Sequence, residues 1–213
     1  MTAIRILLVY LLMLNGINLM AQTIPEKAIE YNNLNEALKN PSKVYRLNLE
    51  NQKDLPKEFD WSIFKNLEFL SFENDNLEEI PLGITNLKNL KTLNLSGNLF
   101  KELPPEINKL EKLETLYLNR EKNLNLANAI EILGRLPNLK NLHLENDNLE
   151  SLPSEILVLR KLEYLNLNNN HFKELPKLDK LDHLKFLDLR KNQINPELLD
   201  QRNLNFGFKI MLE

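Results

Sequence analysis

The sequence predicts an α/β solenoid: a curved, right-handed superhelix with a parallel sheet on its concave face. Two observations carry that expectation. The first is the frame Leu-x-x-Leu-x-Leu-x-x-Asn, which recurs at registers beginning at Val44, Leu67, Leu90, Leu113, Leu139, Leu162 and Leu184, with steps of 23, 23, 23, 26, 23 and 22 residues. The second is a Leu-Pro or Ile-Pro step at Leu55-Pro56, Ile80-Pro81, Leu103-Pro104, Leu152-Pro153 and Leu175-Pro176, so half of the 10 prolines share one structural place. A unit this small cannot bury its own apolar face and must stack on its neighbours. About seven repeats are therefore expected over residues 44–194, with a helical cap over 22–43 and a short cap over 195–213.

The first residues read differently. Arg5 precedes the apolar run Ile6 to Leu14, then Asn15, Gly16 and Asn18 break it, and Leu19-Met20-Ala21 offers a cleavage step before Gln22. That is the layout of a secretory signal peptide over 1–21, and the run is far short of the roughly 20 residues a spanning helix needs. Export to the periplasm, the cell surface or beyond is the expectation. The net charge of −3 over 213 residues makes nucleic acid an unsuitable partner. With no cysteine there is no disulfide, no thiol nucleophile and no lipid acceptor.

Asn33, with Glu36 three residues on, has the form of a capping box and opens a helix that stops near Asn40-Pro41. Within a repeat, Leu93 and Leu95 alternate with Thr92, Asn94 and Ser96, which is strand spacing with leucines inward. Asn98 follows where the chain turns away, and its amide can satisfy backbone that would otherwise be buried unpaired. Phe100, Leu103, Ile107 and Leu110 return to the same core, and Pro104 keeps the return extended. The repeat from Leu113 lacks Leu-Pro. There Leu126, Ile130 and Leu133 follow helical spacing with Gly134 and Pro137 as stops, predicting a short helix over Leu126 to Leu133 on the convex side. Asn195-Pro196 reads as a helix start, and Leu204, Phe206, Phe208 and Ile210 as a terminal strand that either closes the fold or pairs with a second molecule.

These frames resemble the bacterial leucine-rich-repeat proteins of the Leu-x-x-Leu-Pro-x-x-Ile-x-x-Leu type. The opening Leu34-Asn-Glu-Ala-Leu-Lys-Asn-Pro41, followed by Val44-Tyr-Arg-Leu-Asn-Leu and Gln52, is similar to that of exported members. The likeness covers about residues 30 to 195. It implies the solenoid strongly and function weakly, because one scaffold hosts many partners. Such relatives are mostly interaction proteins, some displayed or released at host or cell surfaces.

The asparagine position departs from the pattern, running Gln52, Asp75, Asn98, Glu121, Asp147, Asn170 and Asn192. Carboxylates accept but do not donate, so an internal ladder partly broken at Asp75, Glu121 and Asp147 is expected. The hexapeptide Glu-Asn-Asp-Asn-Leu-Glu stands at 73–78 and again at 145–150. A solvated acidic turn fits it better than a calcium site, which needs six to eight oxygen ligands.

Function must reside in the outward columns. The column Glu68, Lys91, Glu114, Lys140, Glu163, Lys185 alternates in sign and reads as structural. Farther along the strands, Tyr117, His143, Tyr164 and Phe186 gather beside Asn141, Glu145 and Arg190. Aromatics in a polar surround serve protein hot spots and glycan platforms, and equally serve to cover neighbouring residues. Seven strands give about 29 Å of face and, at ~25 Å width, roughly 700 Å², against ~800 Å² per side for a standard protein partner.

A catalytic role finds little support. Of His143, His171 and His183 only His143 stands on the strand face, with Glu145 as its neighbour, and no activated nucleophile, metal-ligand spacing or phosphate loop accompanies them. No metal or cofactor is expected. The sequence thus points to a monomeric, exported, non-catalytic module that binds a protein or peptide through its concave face. Carbohydrate binding and structural self-association through the terminal strand stand as alternatives.

Overall fold

The computed structural model describes residues 26–52, 56, 58–195 and 207–212. The expected signal segment, Leu55, Pro196, Leu204 and Phe206 lie outside the described residues. One parallel sheet runs through the molecule in strict chain order, β1 to β9. Its strands are β1 (Glu30–Tyr31), β2 (Arg46–Asn48), β3 (Phe69–Ser71), β4 (Thr92–Asn94), β5 (Thr115–Tyr117), β6 (Asn141–His143), β7 (Tyr164–Asn166), β8 (Phe186–Asp188) and β9 (Lys209–Met211). The register matches leucine to leucine: Leu47, Leu70, Leu93, Leu116, Leu142, Leu165 and Leu187 face one another across adjacent strands, and Ile210 continues the row. A one-residue slip would turn that row to solvent, so the leucine frame itself sets the register.

The fold is a curved leucine-rich-repeat solenoid. Its core is one continuous column, from Ala37 and Val44 to Leu187 and Leu189. The sheet extends past the seven sequence registers at both ends. At the N-terminal end Asn33 caps α1 (Leu34–Ala37), its side chain accepting from the backbone N–H of Asn35 and Glu36 at 2.8 and 3.2 Å. The reciprocal half of the box does not form, because the Glu36 carboxylate is held by Lys39 at 2.8 Å. At the other end β9 pairs in parallel with β8 and adds a strand to the sheet.

The 26-residue repeat carries α2 at Leu126–Leu133, capped by Asn125 and ended at Gly134, with Ala129, Ile130, Ile132 and Leu133 buried. The return segments of other repeats differ from the extended path expected of them. Pro81, Pro104 and Pro153 are themselves extended, but the chain then tightens into 3-10 turns at Leu82–Asn86, Pro105–Lys109 and Ser154–Val158. A fixed φ near −65° suits the residue before a helical turn as well as an extended run, so proline launches the turn and does not prevent it.

An aromatic knot fills the early repeats. Trp61 meets Phe59 edge-on at 4.8 Å and Phe72 at 5.2 Å, and Trp61, Phe64 and Phe72 are fully buried. Gly83 makes room for it, since a Cβ there would stand 2.8 Å from Trp61 Cδ1 and 2.9 Å from the Phe59 carbonyl oxygen.

Candidate functional site

The strands present three outward columns, and the seven residues singled out above fall on them from β5 to just beyond β8. Tyr117 and His143 are register partners on β5 and β6, and their rings stack at 4.0 Å with planes 22° apart. His143 also meets the ring of Tyr164 at 5.3 Å, tilted 43°. These three side chains are half-buried. The stack is a geometry strand spacing permits, because adjacent strands lie about 4.7–4.9 Å apart. Phe186 on β8, at 42% exposure, stands beside Tyr164 in register and extends the apolar row.

Burial between two phenols sets the chemistry of His143. Desolvation lowers its pKa to about 4, so the imidazole is neutral in mildly acidic and neutral water. Its Nδ1 lies 3.4 Å from the Asn166 amide. A neutral ring with one weak polar contact serves as a spacer in the stack. The Tyr164 phenol is pushed up, first by desolvation and then by Asp188.

The polar members divide into held and free. The Asn141 amide donates to the Thr115 hydroxyl at 2.9 Å, so it is held in place. Arg190 is gripped by Asp188 through Nε at 2.9 Å and Nη2 at 2.6 Å. Asp188 is fully buried, and although desolvation opposes its charge, the hydrogen bonds and charge of Arg190 prevail and hold its pKa below the usual range. Glu145 differs: its backbone is engaged, the N–H donating to the Asn119 side chain at 2.9 Å and the carbonyl accepting from the Arg120 N–H at 3.0 Å, but its carboxylate forms no hydrogen bond or ion pair among the described residues. The Asp188–Arg190 pair was missed in the sequence, although residues two apart on one strand share a face and this spacing announces it.

At the N-terminal half the same columns are closed off. Arg46 pairs with Glu30 at 2.8 Å and lies over the Phe69 ring at 4.1 Å, and Arg120 pairs with Glu73. The alternating charge column pairs off in twos, Lys91 with Glu68 at 3.0 Å, Lys140 with Glu114 at 3.8 Å and Lys185 with Glu163, while Lys27 adds a second cation to Glu68. The remaining histidines are occupied in scaffolding: His183 Nδ1 lies 3.0 Å from the Arg160 carbonyl and His171 Nδ1 3.2 Å from the Gln193 amide.

Beneath the turns runs the asparagine spine, and here the expected solvated acidic turn is corrected at its aspartates alone, since Asn74, Asn76, Glu78, Asn148 and Glu150 are exposed. Asp75 and Asp147, each the centre of one hexapeptide copy, are buried inside the spine and not in solvent. The flanking Asn74, Asn76, Asn146 and Asn148 all adopt positive φ, near 54 to 62°, which turns the intervening aspartate inward. Asparagine tolerates that left-handed region better than most side chains, hence its place on either side.

Comparison with known proteins agrees with this architecture. Family profiles described as leucine rich repeat match residues 137–194 and 89–110. A leucine-rich-repeat protein of Leptospira interrogans is similar at 27% identity and a TM-score of 0.55, over 86% of this chain and 58% of that one. Human 5T4, the trophoblast glycoprotein also called Wnt-activated inhibitory factor 1, is similar at 25% identity and TM-score 0.65, over 81% of this chain and 70% of that one. Internalin C2 of Listeria monocytogenes shares the fold at 22% identity and TM-score 0.55, over 81% and 74% of the two chains. The chain thus spans little more than half the length of the Leptospira protein. No curated protein matches it in sequence. Proteins built from leucine-rich repeats typically mediate protein–protein interaction and are generally non-catalytic. Among the described residues no helix is long and apolar enough to cross a membrane.

Proposed function

We propose that this chain is an exported, non-catalytic recognition module that binds a protein or peptide on its concave face, at Tyr117, Asn141, His143, Glu145, Tyr164, Phe186 and Arg190. The observation that carries the reading is the ring stack Tyr117–His143–Tyr164, half-exposed on the sheet and continued by Phe186. Rigid aromatic rings give large contact area at small entropic cost, which is why hot spots use them.

Size supports a protein partner. Nine strands make eight spacings, or about 38 Å of face, and at ~25 Å width roughly 950 Å², above the ~800 Å² a standard partner covers. The two terminal strands, absent from the count of seven, account for the increase. Export rests on the Arg5 to Ala21 pattern.

The test is a pull-down of the chain from Gln22 onward against surface material of its source. Substituting both Tyr117→Ala and Tyr164→Ala is expected to weaken the captured partner at least tenfold, since hot-spot truncation removes about 2 kcal/mol or more. Capture that is indifferent to the double substitution rejects the aromatic site. Hits on a glycan array that disappear with the same substitutions transfer the site to carbohydrate.

A further inference from the structure

The concave columns do not cancel in charge. Internal pairing consumes Arg46 with Glu30, Arg120 with Glu73 and Arg190 with Asp188. Glu50 accepts from the amides of Asn48 and Asn51 at 3.4 and 3.1 Å. That leaves Glu145 as the one concave-column carboxylate, among the described residues, without a hydrogen bond or ion pair. Its place matters as much as its freedom. It follows His143 by two residues at the end of β6, so it shares the outward face with the stack, and its charge acts on both Tyr164 and Arg190.

We propose that Glu145 and the Tyr117–His143–Tyr164 stack form an anchor for one cationic side chain, an arginine or lysine, on an extended segment of the partner. This rests on the reading of the concave face as a recognition surface and specifies its partner. Aromatic faces carry negative quadrupole density and attract cations within about 6 Å of the ring centroid. The protein already uses this chemistry on the same columns, where Arg46 lies over Phe69. A carboxylate beside the rings adds charge complementarity, which sets specificity and association rate.

Three features favour that occupant over an anion. The imidazole of His143 is neutral above about pH 4, so it does not repel a cation. Arg190, on which the Glu145 charge acts, is chelated by buried Asp188 and offers little net charge. Lys209, beside Phe186 on the last strand, bounds the anionic zone at its far end. The segment is therefore oriented with its cation over β6 and an apolar or acidic residue toward Phe186 and Lys209.

The probe is a displayed library of random linear peptides, selected on the full chain and then measured against variants. Peptides enriched on the unsubstituted chain are expected to share an arginine or lysine. Glu145→Gln keeps the shape of a half-exposed side chain and leaves the melting curve in place. It is expected to weaken these peptides about tenfold, as is replacing the shared cation by alanine, and raised salt weakens them further. Enriched peptides that depend on Tyr117 and Tyr164 but lack a shared cation, or bind Glu145→Gln equally well, overturn the cationic anchor and leave the concave reading standing. Failure to enrich any peptide that distinguishes the unsubstituted chain from the Tyr117→Ala, Tyr164→Ala variant overturns both.

Discussion

The rungs at Asn170 and Asp147 are neighbours in one spine, and both accept a backbone N–H from the rung before: Asp147 N donates to Asn170 Oδ1 at 3.0 Å and Glu121 N to Asp147 Oδ1 at 2.7 Å. They differ in what they return. The Asn170 amide donates to the carbonyls of Leu144 and Leu167 at 2.8 and 3.0 Å, as Asn98 does to Phe72 and Leu95 at 2.9 and 2.6 Å. Asp75, Glu121 and Asp147 have no such hydrogen to give while ionised. The expected break in the ladder is thus confined to its donor half. It is sharpest at the buried Leu118, whose carbonyl lies between the Glu121 and Asp147 rungs and receives an amide from neither. Burial raises all three carboxyls to about 7 against hydrogen bonds and, for Glu121 and Asp147, the Arg120 charge that pull the other way. Protonated, either neighbour could donate to Leu118 as asparagine would. One spine therefore holds a pH-indifferent region and a pH-sensitive one.

The largest effect is expected from removing an amide rung. Asn170→Ala strands the N–H groups of Asp147 and Leu149 and the carbonyl of Leu144, while the Leu167 carbonyl keeps the Asn192 amide at 2.9 Å. Each buried unsatisfied group costs about 1–3 kcal/mol, so a loss of roughly 3 kcal/mol or more is expected, equal at pH 5 and pH 8. Urea unfolding at both values measures it.

A smaller change of opposite sign is expected where carboxylates become amides. Below about pH 4 these carboxyls are protonated whether the chain is folded or not. As pH rises from about 4 to about 7 the unfolded chain releases its protons first, so their contribution to stability falls across that window and levels off above it. His143, lowered to about 4, slopes the other way between there and its ordinary 6.5, and drops out when variants are compared with the parent. Glu121→Asn with Asp147→Asn should add about 1–3 kcal/mol at pH 8 and much less at pH 4.5. An equal gain at both values would falsify protonation as the difference between the regions. Hydrogen exchange should place the gain near Leu118, because solenoid units open locally.

How far these regions were legible follows from what each part depends on. Leucine register, α2 and the Asn33 cap depend on spacing and local chemistry, which one sequence displays. The two-residue strand β1 carries no period to read, and the 3-10 turns after proline share their φ with extended chain and differ in ψ, which proline leaves unset. The outward placement of Tyr117, His143 and Tyr164 followed from strand alternation. Their stacking did not, because it depends on rotamers chosen among neighbours on other strands. For Asp75 and Asp147 two signals conflicted: the frame set them at the asparagine position of the internal ladder, whereas the acidic, asparagine-rich hexapeptide looks like solvent-facing loop until positive φ at its asparagines is known.

The smallest expected effect concerns the turn that delivers each rung. The residue just before the spine position has positive φ in every repeat: Asn51, Asn74, Gly97, Arg120, Asn146, Asn169 and Lys191. Five of these are asparagine or glycine, for which the conformation is inexpensive; Arg120 and Lys191 are not. Arg120 is compensated by its bond to Glu73, whereas Lys191, at φ 56°, is exposed and forms no hydrogen bond or ion pair among the described residues that offsets the strain. Left-handed backbone costs an ordinary side chain about 1 kcal/mol, and asparagine recovers part of it through local hydrogen bonding. Lys191→Asn should therefore add roughly 0.5–1 kcal/mol, and Lys191→Ala, which keeps a Cβ and loses only the charge, should add none. If alanine stabilises as much as asparagine, charge and not backbone conformation limits the final rung. The preference for asparagine just before the spine would then reflect something other than delivery of the rungs.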